Sequence, residues 1–80
     1  MSKFVSQHVT EQFCIYWNPK DYPGMFVTRR YSLDADNIPV PDLDCTLATT
    51  LDEARKDVPK GFVRLGRDER DDASIVEVWI

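Results

Sequence analysis

The chain has 80 residues, and its 10 Lys and Arg against 14 Asp and Glu give a formal net charge of −4 at pH 7. This length predicts one domain with a thin core, because so short a chain buries only roughly 60–65% of the surface that it exposes when unfolded. No stretch reaches the roughly 18 apolar residues of a membrane span. The acidic balance also disfavours non-specific binding to nucleic acid or to anionic membranes.

Residues 1–11 are predicted to form a flexible N-terminal arm, and residues 12–80 to form the single domain. The arm lacks the hydrophobic region of an export signal. The sequence contains two cysteines, whereas small disulfide scaffolds usually carry at least about four. Cys14 lies in an apolar run, and Cys45 follows a carboxylate that opposes thiolate formation. We therefore expect a cytoplasmic protein with both thiols reduced.

The first two predicted elements are strands joined by a loop. Residues 12–17 are rich in aromatic and β-branched residues, which is typical of a strand. Residues 25–33 form the second strand. Between them, Pro23-Gly24 fits a type II turn, in which glycine supplies the positive φ. The two strands should pair as an antiparallel hairpin.

Residues 34–44 are predicted to form the longest ordered loop. They hold two prolines and four aspartates without a basic residue, a composition that excludes a central strand or a helix interior.

A short helix is predicted at about residues 50–58. Thr50 and Glu53 form a capping box, and apolar residues recur at helical spacing behind them. Pro59 disfavours helical geometry at the residue before it. Two short strands follow, at residues 62–66 and 75–80, on either side of a charged loop.

The element order β-β-α-β-β predicts an α+β fold, with one short helix on one face of a small antiparallel sheet. A single helix covers only one side of such a sheet. The other side should therefore keep large residues (Tyr16, Phe26 or Tyr31, and Trp79) with arginines among them. Antiparallel sheets normally make such a face polar.

This aromatic face is the candidate binding surface, because Trp, Tyr and Arg are enriched among the residues that dominate interface energetics. The candidate binding residues are Tyr16, Phe26, Arg29, Arg30, Tyr31 and Trp79. In the alternative interpretation, the N-terminal arm or the 34–44 loop folds over the face and completes the core. The sequence leaves both interpretations open.

Acidic residues form two clusters that could orient a basic partner during encounter. The first cluster, a candidate acidic patch, is Asp34, Asp36, Asp42 and Asp44. The second is Asp68, Glu69, Asp71 and Asp72. The alternative interpretation is that both are solvated loops that keep a small protein in solution.

No pattern for catalysis or metal binding is found. The only histidine, His8, lies in the predicted arm, where no acid or base is held in position. A calcium loop starting at Asp34 fails at its fifth and sixth positions, Ile38 and Pro39. Zinc sites need close ligand pairs, and phosphate loops need clustered glycines, and neither is present. We expect no enzyme activity, cofactor or metal.

Three stretches of sequence form a recognisable pattern: residues 15–30 (IYWNPKDYPGMFVTRR), the helix start at Thr50 (TLDEAR) and residues 71–80 (DDASIVEVWI). Together they resemble a family of small uncharacterised bacterial and phage-borne proteins, across most of residues 12–80. The resemblance brings no known activity and gives no residue a catalytic or binding role. A phage or mobile-element origin would imply an accessory or inhibitory protein that acts by binding.

The leading hypothesis is a small non-enzymatic protein that binds another macromolecule, either another protein or a second copy of itself through the aromatic face or an edge strand. An alternative is single-stranded nucleic-acid binding through Phe26, Arg29, Arg30 and Tyr31. Arginines at a strand centre more often pair with a carboxylate such as Glu77, however. A small enzyme ranks last, because a thin core leaves little room for a cleft with convergent polar groups.

Overall fold

A computed structural model describes residues 11–36, 38–65 and 73–80, which form five strands and one helix. The elements are β1 (Glu11–Trp17), β2 (Phe26–Leu33), β3 (Pro39–Ala48), α1 (Leu51–Lys56), β4 (Arg64–Leu65) and β5 (Ile75–Trp79). All strand pairs are antiparallel, and the sheet order is β3-β2-β1-β5-β4. The antiparallel sheet with one short helix is confirmed. The predicted element order β-β-α-β-β is wrong by one strand, because β3 precedes the helix.

β3 occupies much of the segment that was predicted to be a loop. The prolines Pro39 and Pro41 lack an N–H, and they are tolerated because β3 lies at the edge of the sheet, where only one side of the strand must pair. A tight turn precedes the strand: the Asp34 Oδ1 accepts hydrogen bonds from the backbone N–H groups of Asp36 at 2.8 Å and Ile38 at 3.0 Å. The composition of this segment correctly excludes a central strand. It does not exclude an edge strand, and β3 is one.

The helix begins as the sequence predicts. The Thr50 Oγ1 accepts a hydrogen bond from the Glu53 N–H at 3.2 Å, as expected for an N-cap. The helix is shorter than predicted, because it ends at Lys56 with Asp57 as C-cap.

The core lies between α1 and the sheet, on the side that we call the helix side. Its buried centre is Ile15, Ala48 and Ala54. The partly buried residues packed around this centre are Phe26, Leu51, Val58, Val76 and Trp79. The Thr28 hydroxyl, also buried, donates to the Ala54 carbonyl oxygen at 3.0 Å and ties β2 to the helix.

A bulge changes which residues of β5 face the helix. Glu77 lies opposite Ile15, whereas Ile75 lies opposite the next residue, Tyr16, so Val76 is an extra residue in the ladder. Strict alternation predicts Val76 and Glu77 on opposite faces. Instead Val76 packs against the helix-side core, and Glu77 bonds to Arg55 of the helix.

The predicted arm and charged loop fall mostly outside the described residues. Glu11, which the sequence assigned to the arm, is the first residue of β1. Residues 1–10, with His8, lie outside the described ranges, as do residues 66–72 with the second acidic cluster. Of the predicted strand at residues 62–66, residues 64–65 form β4, and residue 66 lies outside the described ranges.

Candidate binding face and cleft

The six candidate binding residues lie on two opposite faces of the sheet. Tyr16 pairs with Val27 and Cys14 with Arg29, which places these residues on the side away from α1, together with Tyr31. We call this side the helix-free face. Arg30 lies opposite Phe13 and therefore shares the helix side. The six residues do not form one surface: Tyr16, Arg29 and Tyr31 lie on one side, and Phe26, Arg30 and Trp79 on the other. Of the two alternatives for the uncovered face, Phe26 or Tyr31, the register places Tyr31 there.

Phe26 and Trp79 are core residues on the helix side. Both pack against the cluster around Ile15. The ring centroids of Phe26 and Trp17 lie 4.5 Å apart. The Trp79 indole N–H donates to Glu77 Oε1 at 3.1 Å. The sequence placed them on the uncovered face because it located neither the helix over β2 and β3 nor the bulge in β5.

The helix-free face carries large side chains instead of the usual polar ones. Cys14 and Val27 are buried, at 3% and 1% exposed, and Tyr16 and Tyr31 are half-buried. The two tyrosine hydroxyls lie 2.6 Å apart in a hydrogen bond. Burial first, and the bond to Tyr31 second, raise the pKa of Tyr16 above its usual value, so this phenol stays protonated near neutral pH.

The loop between β1 and β2 folds over one end of this face. It starts at Asn18, which has a positive φ of 54°, and the Asn18 Oδ1 accepts from the N–H of Gly24, whose φ is 74° as the predicted turn requires. Asp21 of the loop lies 3.5 Å from the Arg29 guanidinium. A hydrogen bond to the Cys45 thiol raises the pKa of Tyr22.

Of the two segments that could cover the helix-free face in the alternative interpretation, the structure describes only the 34–44 segment, apart from residue 37. Residues 39–44, which were predicted to belong to a loop that could close over it, are part of the edge strand β3. The N-terminal arm lies outside the described residues. The β1–β2 loop, which was predicted only to connect the two strands, contacts the helix-free face instead.

A cleft of about 550 Å³ opens where this loop meets the helix-free face. Its lining residues are Tyr16, Asn18, Pro19, Lys20, Asp21, Val27, Arg29, Ala73 and Ser74. This volume lies within the roughly 300–1,000 Å³ of small-ligand pockets. Of the sequence-predicted site residues, the cleft contains Tyr16 and Arg29.

Exposed apolar side chains lie at both edges of the sheet, with Val63, Leu65 and Ile80 at the β4 edge and four others at the β3 edge. Leu43 is 99% exposed and Leu47 46% exposed, and Ile38 and Val40 are also exposed. Leu47 lies opposite Val27 and so belongs to the helix-free face. The pairing of β2 with β3 is irregular at Leu43. Arg29 pairs with Cys45 and Tyr31 pairs with Pro41, so three residues of β3 lie opposite the single residue Arg30.

Arg30 and the first acidic cluster neutralise each other in part. The Arg30 guanidinium lies 2.9 Å from Asp42 and 3.0 Å from Glu11, and all three side chains are substantially exposed. Asp34 is engaged in the turn before β3. Of the candidate acidic patch, Asp36 and Asp44 present exposed carboxylates.

Glu77 is a buried carboxylate that sequence reasoning paired with the wrong arginines. Its oxygens accept from the Arg55 Nε at 3.0 and 3.1 Å and from Arg64 at 3.1 Å, besides the Trp79 N–H. The bond to Arg55 is the largest cause of a lowered pKa of Glu77. This cluster joins α1, β4 and β5 and is structural. Its signal in the sequence is a lone carboxylate inside the apolar strand of residues 75–80.

The geometry offers little to nucleic acid. Phe26 and Arg30 lie on the helix side, whereas Arg29 and Tyr31 lie on the helix-free face, so the four residues form no continuous stacking platform. Arg30 is paired with Glu11 and Asp42, whereas Arg29 lies 3.5 Å from Asp21.

Neither metal-binding nor membrane-spanning features are found in residues 11–36, 38–65 and 73–80. No group of three His, Cys, Asp or Glu side chains among them could hold a metal ion, and no helix in these ranges is long and apolar enough to cross a membrane. Comparisons of the chain with protein-family models, curated proteins and solved structures find no match. Function is therefore inferred from the helix-free face itself.

Proposed function

We propose that this chain is a small non-enzymatic binding protein that docks another protein on its helix-free face. The observation that carries the proposal is the composition of that face: half-buried Tyr16 and Tyr31 beside exposed Leu47, on the side of the sheet that α1 does not cover. Antiparallel sheets with one solvated face usually make that face polar.

The contacts on this face suit a preorganised interface. The hydrogen bond between the Tyr16 and Tyr31 hydroxyls fixes both rings before a partner arrives, which lowers the entropic cost of binding. A partner can bury the exposed apolar surface of Leu47. Each Å² of apolar surface removed from water contributes roughly 25 cal/mol of favourable free energy. Arg29, held at the centre of the face, adds a directional donor of the kind enriched at interface hot spots.

The edges of the sheet disfavour self-association by strand pairing. Pro39 and Pro41 remove two backbone donors from β3, and the irregularity at Leu43 bends the same strand. The other edge, β4, is only two residues long. A partner that docks on the face and not on an edge is therefore favoured, and we propose that this partner is a different protein.

Light scattering coupled to size-exclusion chromatography should show a mass near that of one chain, 9.3 kDa. The value should not change with protein concentration, because both edges resist the addition of a strand. A mass that rises toward that of two chains with concentration would contradict the preference for a different partner and would favour a homodimer.

Site-specific photo-crosslinking in the native host tests the proposed function. The photoreactive residue p-benzoylphenylalanine replaces Leu47 on the helix-free face or Lys56 on the exposed side of α1 as a matched control. We expect a discrete adduct from position 47, absent from position 56 and lost when Arg29→Glu is added to the same chain. The same adducts from both positions, or none from position 47, would refute docking on this face.

A further inference from the structure

The cleft beside the docking surface has features of a small-molecule site. Two cations, Lys20 and Arg29, and one carboxylate, Asp21, line it. Among the described residues that line it, the formal charge is therefore +1, within a chain whose net charge is −4. A site with one excess positive charge is complementary to a ligand with a single negative charge.

The Arg29 guanidinium is only loosely engaged by Asp21. A single N···O contact of 3.5 Å joins them, which is longer than the roughly 2.7–2.9 Å of a strong charge-assisted bond. The Asp21 side chain is 60% exposed, whereas that of Arg29 is only 22% exposed. The Asp21 side chain can therefore turn into solvent while Arg29 stays in the cleft. The planar guanidinium of Arg29 then has N–H donors available to the carboxylate of a ligand.

The remaining walls are apolar. Tyr16, Pro19 and Val27 line the cleft. Tyr16 and Pro19 are half-buried and leave surface free, whereas Val27 is only 1% exposed. Burial raises the pKa of the Tyr16 phenol, as expected for a wall of low polarity, and an ion pair is stronger beside such a wall than in open water. A flat or aliphatic ligand body would bury these surfaces.

We propose that the cleft binds a small monocarboxylate with a flat apolar body. Arg29 and Lys20 bind the carboxylate, and Tyr16 and Pro19 contact the body. Asp21 is the internal carboxylate that leaves Arg29 when the ligand enters. The site shares Tyr16 and Arg29 with the proposed docking face, but its ligand is a small molecule and its test is independent of the docking proposal.

Titration of the ¹⁵N-labelled full chain with benzoate, followed by NMR, tests this site. We expect saturable shifts of the amides of Val27, Arg29 and Ala73, and none with benzamide, which has the same ring without the charge. Arg29→Gln should weaken benzoate binding by about tenfold or more, the effect of losing a charged hydrogen bond. Arg30→Gln, the matched control on the helix side, should leave binding unchanged.

Two further variants and one further ligand complete the test. Asp21→Asn should tighten benzoate binding, because it removes the competing carboxylate, and exposed Lys20→Gln should weaken it even if Arg29→Gln fails to fold. Equal shifts with benzoate and benzamide, or equal losses in Arg29→Gln and Arg30→Gln, would overturn the site. Saturable binding of inorganic phosphate with none of benzoate would overturn the monocarboxylate assignment. None of these results depends on the crosslinking experiment.

Discussion

Replacing Ile15 with alanine should lower the free energy of unfolding by about 3–4 kcal/mol. Ile15 is 0% exposed and lies on β1, the central strand of the sheet. Its neighbours in the buried cluster are Ala48 and Ala54, which are too small to fill the cavity that the truncation leaves. A loss of this size is a large part of the roughly 5–15 kcal/mol that stabilises a typical domain. Urea denaturation of the two proteins measures it.

The matched controls for this truncation are Leu43→Ala and Leu47→Ala. Both leucines are exposed, so each change should cost less than about 0.5 kcal/mol. If Leu47→Ala destabilised the protein as much as Ile15→Ala does, Leu47 would be a core residue. The helix-free face would then be a second packed layer and not a docking surface.

Glu77→Gln should lower the free energy of unfolding by about 2 kcal/mol at pH 7. The buried carboxylate accepts hydrogen bonds from Arg55, Arg64 and the Trp79 indole. A neutral amide offers one acceptor oxygen and turns an NH₂ group toward the guanidinium groups. The partial exposure of both arginines keeps the loss below that of a fully buried pair. Asp44→Asn, which changes an exposed carboxylate in the same way, is the control and should change stability little.

The contribution of Glu77 should depend on pH in a defined direction. Its hydrogen bond with Arg55 lowers the pKa of this carboxyl below the ordinary value of 4.5 in the folded protein. A group with a lowered folded pKa stabilises the fold above its unfolded pKa, and this stabilisation is lost as the pH falls through the folded pKa. The gap between wild type and Glu77→Gln should therefore narrow below pH 4.5. A gap that is the same at pH 7 and pH 3 would contradict the ion-pair account.

Local signals in the sequence predicted much of the fold. The hairpin of β1 and β2 follows from aromatic and β-branched runs around Pro23-Gly24, and Gly24 has the positive φ that this turn requires. The helix start at Thr50 follows from its spacing to Glu53. The last strand follows from the apolar run at residues 75–80. Each signal lies within a few residues of the structure that it specifies.

The errors concern long-range features. Residues 39–48 form a strand only because the β2 edge is available to pair with them, and a composition of prolines and aspartates does not show this. The bulge at Val76 depends on pairing with β1 and turns Val76 and Glu77 toward the helix. The partners of Glu77 come from α1 and β4, which are far away in sequence.

The sequence predicted only part of the candidate site, because the rest of the site depends on long-range contacts. Alternation along β2 places Arg29 and Tyr31 on one face, because side-chain direction in a regular strand is a local property. Alternation alone did not decide whether Tyr31 or Phe26 shares a face with Tyr16. The cleft was missed, because it forms only when the β1–β2 loop folds back and brings Lys20 and Asp21 to Arg29.

The most direct test of the account is the accessibility of the helix-free face in solution. A soluble gadolinium chelate relaxes NMR signals of groups that reach solvent, and it can be applied to the unmodified protein. The methyl signals of Leu43 and Leu47 should be strongly relaxed, whereas those of Ile15 and Val27 should be protected. Protection of Leu47 equal to that of Ile15 would show that the face is covered, and it would contradict docking there.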